Sequence, residues 1–463
     1  MKEKIFDWLS KEEERQENTI DLICSENYVS KDVLKACGHC IQNKYSEGYI
    51  PDKNGFYRRY YAGCEYVDKI ESATCDLICK AFGTEYANVQ PHSGTTANIA
   101  VYTLACNYFN CKPEDLTIIS HSLNSGSHLT HGSKASISGK WFKTIQFETD
   151  DNGFFNYNEI EKILNSLNDN APAVLVVGMS SYPRQIDYER LAKIVDNAHK
   201  DIIVLVDSSH ISGLIITKHH QNPFDYYWGT GKLILTSTSH KTLRGPRHAF
   251  ITTNDIELGK LLDKAVFPNN LGGPLQNMIA ALGIAMCEAL TLEFNNYIER
   301  LLCNIKAMEK VFNDKNIDMV TGGSDNHLIL LDLSKHSMSG KDLEYLLEKI
   351  GIIANKNAVK NDNRPKTITS GLRIGTSCIT TRNFNEKECA RIAEIIADII
   401  LYADDRAAYA AKTVIDNGLD NGQKGTVLPQ YHMQTIKDAM LENYALEYKD
   451  EIKKLVELHP IYK

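Results

Sequence analysis

Between residues 66 and 290 the chain repeats one pattern: short apolar runs with no polar alternation, separated by amphipathic stretches of helical period. The runs are "ANVQ", "LTIIS", "KTIQF", "APAVLVVGM", "DIIVLVD", "KLILTS" and "AFITT", and "YERLAKIVDNAHK" is typical of the intervening segments. A strand that is apolar on both sides must be covered on both faces. The pattern therefore predicts an α/β fold with a mostly parallel sheet between helical layers. In such sheets ligands bind beyond the carboxyl ends of the strands, so polar residues that directly follow the runs are the first candidates for function.

At 463 residues, 43% of them apolar, the chain can build more than one core. Residues 1–45 read as an N-terminal arm with helical pieces, 46–290 as a large cofactor-binding domain, and 291–463 as a smaller C-terminal α/β domain with a helical tail. In that last part "HLILLDL" and "SGLRIGTS" read as strands, and a Gly/Asn-rich loop, "NGLDNGQKG", interrupts the tail. "MIAALGIAMCEALTLEF" and "YIERLLCNIKAMEKVFND" read as the helices that join the two regions.

Net charge is −8, with neither a basic block nor an RNA-type aromatic motif, so nucleic-acid binding is not expected. No apolar run has membrane-spanning length, and "MKEKIFDWLSKEEERQEN" is too acidic and polar for a leader, which makes the cytosol the expected compartment. Twelve cysteines in such a chain are expected to be reduced. Cys37-Gly-His-Cys40 has redox spacing, but it ends the helical "SKDVLKACGHC" and no second pair follows at zinc-site spacing. Metal or redox use is therefore not expected. Cys75 and Cys79, one helical turn apart, read as packing residues.

Three strand ends carry chemistry. "NVQPHSGTTAN" leads through Ser93, Gly94 and Thr95 into a helix, whose free N–H groups and positive dipole end suit a phosphate; a plain helix cap uses the same residues. "DIIVLVDSSH" places Asp207 at the exit of a buried run. There it would either cap the next helix or pair with a protonated ring nitrogen. "TSTSHKTLRGPR" places Lys241 beyond a strand among hydroxyls, a histidine and arginines, a setting in which an ammonium could lose its proton and form a Schiff base. His128, in "SGSHLTHG", is a flat ring flanked by small residues, and Arg373, in "SGLRIGTS", has the planar fork that grips a carboxylate.

Through "SENYVS", "NKYSEGY", "RRYYAGCEYVD", "NVQPHSGTTAN", "HLTHG", "VDSSHISGL", "SHKTLRGPR", "VFPNNLGGP" and "SGLRIGTSCITTR", in that order, the chain resembles the serine hydroxymethyltransferase family from about residue 15 to 400. The resemblance implies the aspartate-aminotransferase type of pyridoxal-phosphate fold (fold type I). It also implies a homodimer or dimer of dimers, serine and glycine as substrates, and tetrahydrofolate as one-carbon acceptor. It further implies that Lys241 carries the covalent link to pyridoxal 5'-phosphate, that Asp207 pairs its ring nitrogen, that His128 stacks on the ring, and that Ser180 and His210 lie near its phenolic oxygen. Ser93, Gly94, Thr95 and His240 would hold the phosphate, with Tyr45 and Gly273 reaching in from a second subunit. Arg373 and Ser25 would hold the amino-acid carboxylate, Arg247 would orient the site, and Glu47 and Tyr61 would move protons. The folate site would draw on Glu47, Tyr60, Tyr61, Leu123, Gly126, Leu129 and Asn357.

Departures from the family pattern collect near that folate site. "GYIPDKNGFYRR" is lengthened between Glu47 and Tyr60, Ser127 replaces a glycine, "GPRHAF" replaces a Gly-Gly pair, "NPFDYYWGTGKLILTS" is longer, and Ser377 stands where a proline is expected. Two other readings stay open at this point. One is a specialised relative, such as a folate-independent threonine aldolase or transaldolase or a hydroxymethyltransferase for another amino acid. The other is a scaffold, which the retained Lys241, Asp207, His128 and Arg373 argue against.

Overall fold

The computed structural model describes residues 1–50, 59–416 and 439–462, and two compact units: 27–298, and 1–26 together with 299–463. The lengthened stretch after Glu47, from residue 51 to 58, and the "NGLDNGQKG" loop lie outside the described residues.

The larger unit is built on a seven-stranded sheet. Its strands are β2 (Tyr86–Asn88), β3 (Thr117–His121), β4 (Lys143–Phe147), β5 (Ala173–Val177), β6 (Ile203–Asp207), β7 (Lys232–Thr238) and β8 (Ala249–Thr253), in the order β2-β8-β7-β6-β5-β3-β4. Neighbours from β4 through β7 are parallel, and β8 alone runs against both of its neighbours. All seven expected strands form, because Val, Ile and Leu on both faces of runs such as Ala-Val-Leu-Val-Val are fully covered; every residue of β5 is buried. The helix Gly94–Tyr108 and the helix Ile256–Val266 contribute to one core against this sheet, with Val101, Leu104, Val174, Leu205 and Leu262 inaccessible to solvent. At about 25 cal/mol per Å² of apolar surface, each such side chain contributes roughly 1.5–3 kcal/mol before conformational entropy is subtracted.

The other unit carries a three-stranded antiparallel sheet, β11-β12-β9, from β9 (Leu328–Asp332), β11 (Asn355–Asn357) and β12 (Gly371–Gly375). A two-stranded parallel pair joins β1 (Ile20–Asp21) to β10 (Ile352–Ile353). Arg382, almost fully buried, donates to the carbonyls of Glu17, Thr19 and His459 and so ties both chain ends into this unit. The helix expected over "MIAALGIAMCEALTLEF" is two: Gln276–Ala289 ends at Leu290, and Leu292–Asp314 starts afresh after it. An apolar period runs through the break, so the pattern alone cannot register it. The helix Lys31–Cys37 is capped by the Ser30 hydroxyl and stops at Gly38, leaving Cys40 to open a separate 3₁₀ turn. Cys75 and Cys79 are half-buried rather than sealed in a core. No single described helix is long and apolar enough to cross a membrane.

Candidate active site

The carboxyl ends of β2, β3, β5, β6 and β7 lie along one edge of the sheet, and most of the expected residues sit there. Asp207 is the last residue of β6 and stands in register with Thr236 of the adjacent β7; Lys241 follows β7 by three residues. The turn that carries Lys241 is tight. Arg244, in the left-handed region at φ 58°, donates its N–H to the Lys241 carbonyl at 3.1 Å, and the Asn27 amide donates to that same carbonyl at 2.9 Å. The Lys241 Nζ donates to Thr238 Oγ1 at 2.9 Å, which aims the amine back along its own strand end.

Asp207 is deeply buried in a network whose proton positions can be assigned. Its Oδ2 takes Nδ2–H from Asn98 at 2.9 Å and faces His131 Nε2 at 3.0 Å, while Oδ1 takes the Ser209 N–H at 3.1 Å. Burial alone would raise this carboxyl, but the hydrogen bond from His131, the electrostatic attraction of the His131 and His128 rings and the bond from Ser209 together outweigh it and hold the group far below its usual range. The helix-cap reading is not met: the next helix, Ser212–Ile216, has Ile211 at its cap and no side-chain cap, and the Ser209 N–H closes only a local turn on Oδ1. Asn98, on the first turns of Gly94–Tyr108, accepts from Thr236 Oγ1 at 2.7 Å and donates also to Thr130 Oγ1 at 2.9 Å. Thr130 Oγ1 also lies 2.7 Å from His128 Nδ1 and, because the Thr130 N–H is directed at that same nitrogen, is the donor to it. The His128 proton therefore sits on Nε2. Burial pushes the His128 imidazole down to about 4, and at neutral pH it is an uncharged plane.

The Ser93 side chain caps Gly94–Tyr108 in a reciprocal box with Thr96, so the bland reading of this motif holds, while Ser93 and Thr95 remain exposed at the helix start. A Cβ on Gly94 would come within 2.8 Å of Thr238 Cγ2, which is why the backbone there can lie close to β7. His240 is pushed down to about 3 by burial and by the Lys241 and Arg247 charges, and its Nδ1 is buried without a protein partner. His210 is buried and its carbonyl accepts from Thr242 Oγ1; Arg247 is exposed. The Ser180 N–H donates to the Gly126 carbonyl at 2.7 Å. Gly126 adopts φ 91°, and a side chain there would strike Ser181 Oγ. Leu123 and Leu129 flank it with exposed apolar surface, 36% and 47% accessible.

Tyr45, Glu47, Tyr60, Tyr61 and Gly273 form a cluster of their own. The Tyr45 hydroxyl donates to Glu47 Oε1 at 3.2 Å, its ring meets Tyr61 edge-on at 4.9 Å, and it lies against Gly273, where a Cβ would come within 2.9 Å of Cζ. The Tyr60 N–H donates to the Glu47 carbonyl at 2.9 Å. Ser25, Asn357 and Arg373 belong to the other unit. Arg373 directs Nε and one terminal nitrogen at Asn355 Oδ1, each at 3.3 Å, Asn357 donates to the Ala358 carbonyl, and Ser25 is half-buried. Sequence reasoning missed Asn98, Thr130 and His131. His131 lies in the quoted "HLTHG" and could have been found there; Asn98 sits inside a helical pattern and gave no local signal.

The donor set fits pyridoxal phosphate. A buried carboxylate kept ionised by two donors at Oδ2 and one at Oδ1 has lone-pair capacity left for a pyridinium N–H, and the orphaned His240 nitrogen and the exposed Ser93–Thr95 helix start suit a phosphate. Fold and chemistry together define a pyridoxal-phosphate enzyme of fold type I. The family model described as serine hydroxymethyltransferase matches residues 1–396. The serine hydroxymethyltransferase of Orientia tsutsugamushi is 41% identical over 91% of this chain and 95% of its own length, and that of Ehrlichia chaffeensis 43% identical over 86% and 90%. Serine hydroxymethyltransferase 2 of Ralstonia nicotianae is 44% identical over 84% of this chain and 87% of its own. The chain belongs to the serine hydroxymethyltransferase family.

Proposed function

We infer that this chain interconverts serine and glycine, with pyridoxal phosphate as cofactor and tetrahydrofolate as the one-carbon acceptor. The observation that carries the reading is the buried Asn98–Asp207–His131 network at the strand end beside Lys241. When bound, the cofactor supplies an electron-poor ring that withdraws electrons from the substrate Cα. The chain's own residues do the rest. Lys241, whose amine donates to Thr238 Oγ1, would be the attachment point. Asp207 holds a proton on the ring nitrogen, neutral His128 covers the ring face, and Ser180 and His210 flank the phenolic oxygen. Ser93, Gly94, Thr95 and His240 hold the phosphate. Arg247 helps orient the site, and Glu47, hydrogen-bonded to Tyr45, moves a proton with Tyr61. Glu47, Tyr60, Tyr61, Leu123, Gly126, Leu129 and Asn357 are assigned to the folate site, where the exposed leucines and tyrosines offer apolar surface to a flat pterin.

The active unit is a homodimer in this reading, completed by Tyr45 and Gly273 of a second subunit. Its support is the exposure of Tyr45, Tyr60 and Tyr61, at 51%, 76% and 44%, in a cluster with polar and catalytic groups. The cytoplasm is the proposed compartment, supported by twelve free thiols. The test of function is serine cleavage measured with and without tetrahydrofolate. Strong folate dependence is expected, and equal rates in both would favour a folate-independent aldolase.

Arg373 and Ser25 are assigned to the substrate carboxylate. Arg373→Lys should keep fold and cofactor but weaken glycine and serine binding, because an ammonium cannot reproduce the planar fork. One charged hydrogen bond contributes about 1.5–3 kcal/mol, so affinity should fall roughly ten- to a hundred-fold. Titrating glycine against the cofactor's absorption measures this, and unchanged affinity would make Arg373 structural.

A further inference from the structure

We propose that Ser127 is a positioning residue for the reaction: its hydroxyl fixes the proton of His131 on Nε2 and thereby points a permanent donor at Asp207. This rests on the reading that Asp207 pairs with the cofactor ring. Ser127 is buried at 4% exposure, and its Oγ lies 2.9 Å from His131 Nδ1. The backbone N–H of His128 is directed at the same nitrogen, at 3.4 Å. An N–H aimed at a ring nitrogen is tolerated only by a lone pair, so Nδ1 is the acceptor, Ser127 donates, and the one ring proton of a neutral imidazole is left on Nε2, 3.0 Å from Asp207 Oδ2. The ring itself is sealed, with 1% of its side chain exposed. The closeness of His128, His131 and Asp207 also has the outline of a metal site, but the hydrogen bonds already use Nδ1 of both rings and Nε2 of His131.

Without the hydroxyl, Nδ1 keeps only the long backbone contact. The preference for the Nε2–H form shrinks, and the ring is free to rotate off Asp207. The other two donors to Asp207, from Asn98 and Ser209, stay in place, so the effect is graded and not a collapse.

Three variants of the full-length protein test this: Ser127→Ala and Ser127→Gly, which remove the hydroxyl, and Ser127→Thr, which keeps it. With histidine labelled in ¹⁵N and the His131 signals assigned by their loss in His131→Gln, the wild type should show one acceptor-type and one N–H-type ring nitrogen. In the alanine and glycine variants those two signals should move toward each other. Affinity for pyridoxal phosphate should fall about five-fold in both, the effect of one lost neutral hydrogen bond, and return near wild type in the threonine variant. Unchanged His131 signals in the alanine and glycine variants would overturn the proposal. So would losses in affinity that follow side-chain size and not the hydroxyl, with threonine as poor as alanine. Failure of the Asp207 reading shows separately, as normal cofactor binding in Asp207→Asn with the His131 signals still responding to Ser127.

Discussion

Lys241→Ala will abolish the covalent link between protein and cofactor and lower serine cleavage by roughly 10³-fold or more, through the loss of the attachment point. The reasoning begins with position. Lys241 stands in a turn held by two hydrogen bonds to its own carbonyl, so the backbone does not depend on the side chain, and the variant should fold. The amine donates to Thr238 Oγ1, and its neighbour His240 is uncharged at neutral pH. Pyridoxal phosphate should still bind to the variant, through Ser93–Thr95 and Asp207, but reversibly. Reduction of loaded wild-type protein with borohydride, digestion and mass spectrometry should put the adduct on Lys241, and the variant should yield none. An adduct on a different lysine of the wild type would overturn the assignment.

Much of the fold could be read before the structure because it depends on local pattern. "KTIQF" and "AFITT" are strands to the residue; the second is buried throughout, whereas the first, with Lys143 and Gln146 exposed, is an edge strand set by its β-branched residues and its pairing with β3. The residues at the strand ends could be read for the same reason: an aspartate directly after Ile-Val-Leu-Val is conspicuous. Asn98 could not. It sits in the helix Gly94–Tyr108 among alanines and is placed at Asp207 only by the packing of that helix on β6 and β7, a tertiary fact with no sequence period. His131 was hidden by its neighbour, since the ring expected to stack drew attention from the ring that orients the acid. The break at Leu290 was likewise invisible, because the apolar period runs through it.

Asp207→Asn separates the two readings of the acid more sharply than any other change. Asparagine caps a turn about as well as aspartate, so if Asp207 served only to take the Ser209 N–H, the substitution would be nearly silent. The network predicts otherwise. Both His131 Nε2 and Asn98 Nδ2 point at Oδ2, so the new amide must turn its oxygen toward them, and its NH₂ then faces the Ser209 N–H, donor against donor. The charge is lost as well. Removing one partner of a buried ion pair costs about 3–5 kcal/mol, so affinity for pyridoxal phosphate should fall roughly 10²- to 10³-fold or more, with a comparable loss in the rate of serine cleavage. The direction with pH follows from the lowered carboxyl. Its charge, and the binding it supports, is present above the unfolded value near 3.9 and is lost only as pH falls through the depressed folded value. Wild-type affinity should therefore show no step assignable to the Asp207 carboxyl between about pH 6 and 9, while the ratio of wild-type to Asp207→Asn affinity should fall at high pH, where the free ring nitrogen loses the proton that only the carboxylate retains. Absorbance titrations of cofactor-free protein at several pH values measure both quantities. An asparagine variant that binds cofactor as tightly as wild type would reduce Asp207 to a cap.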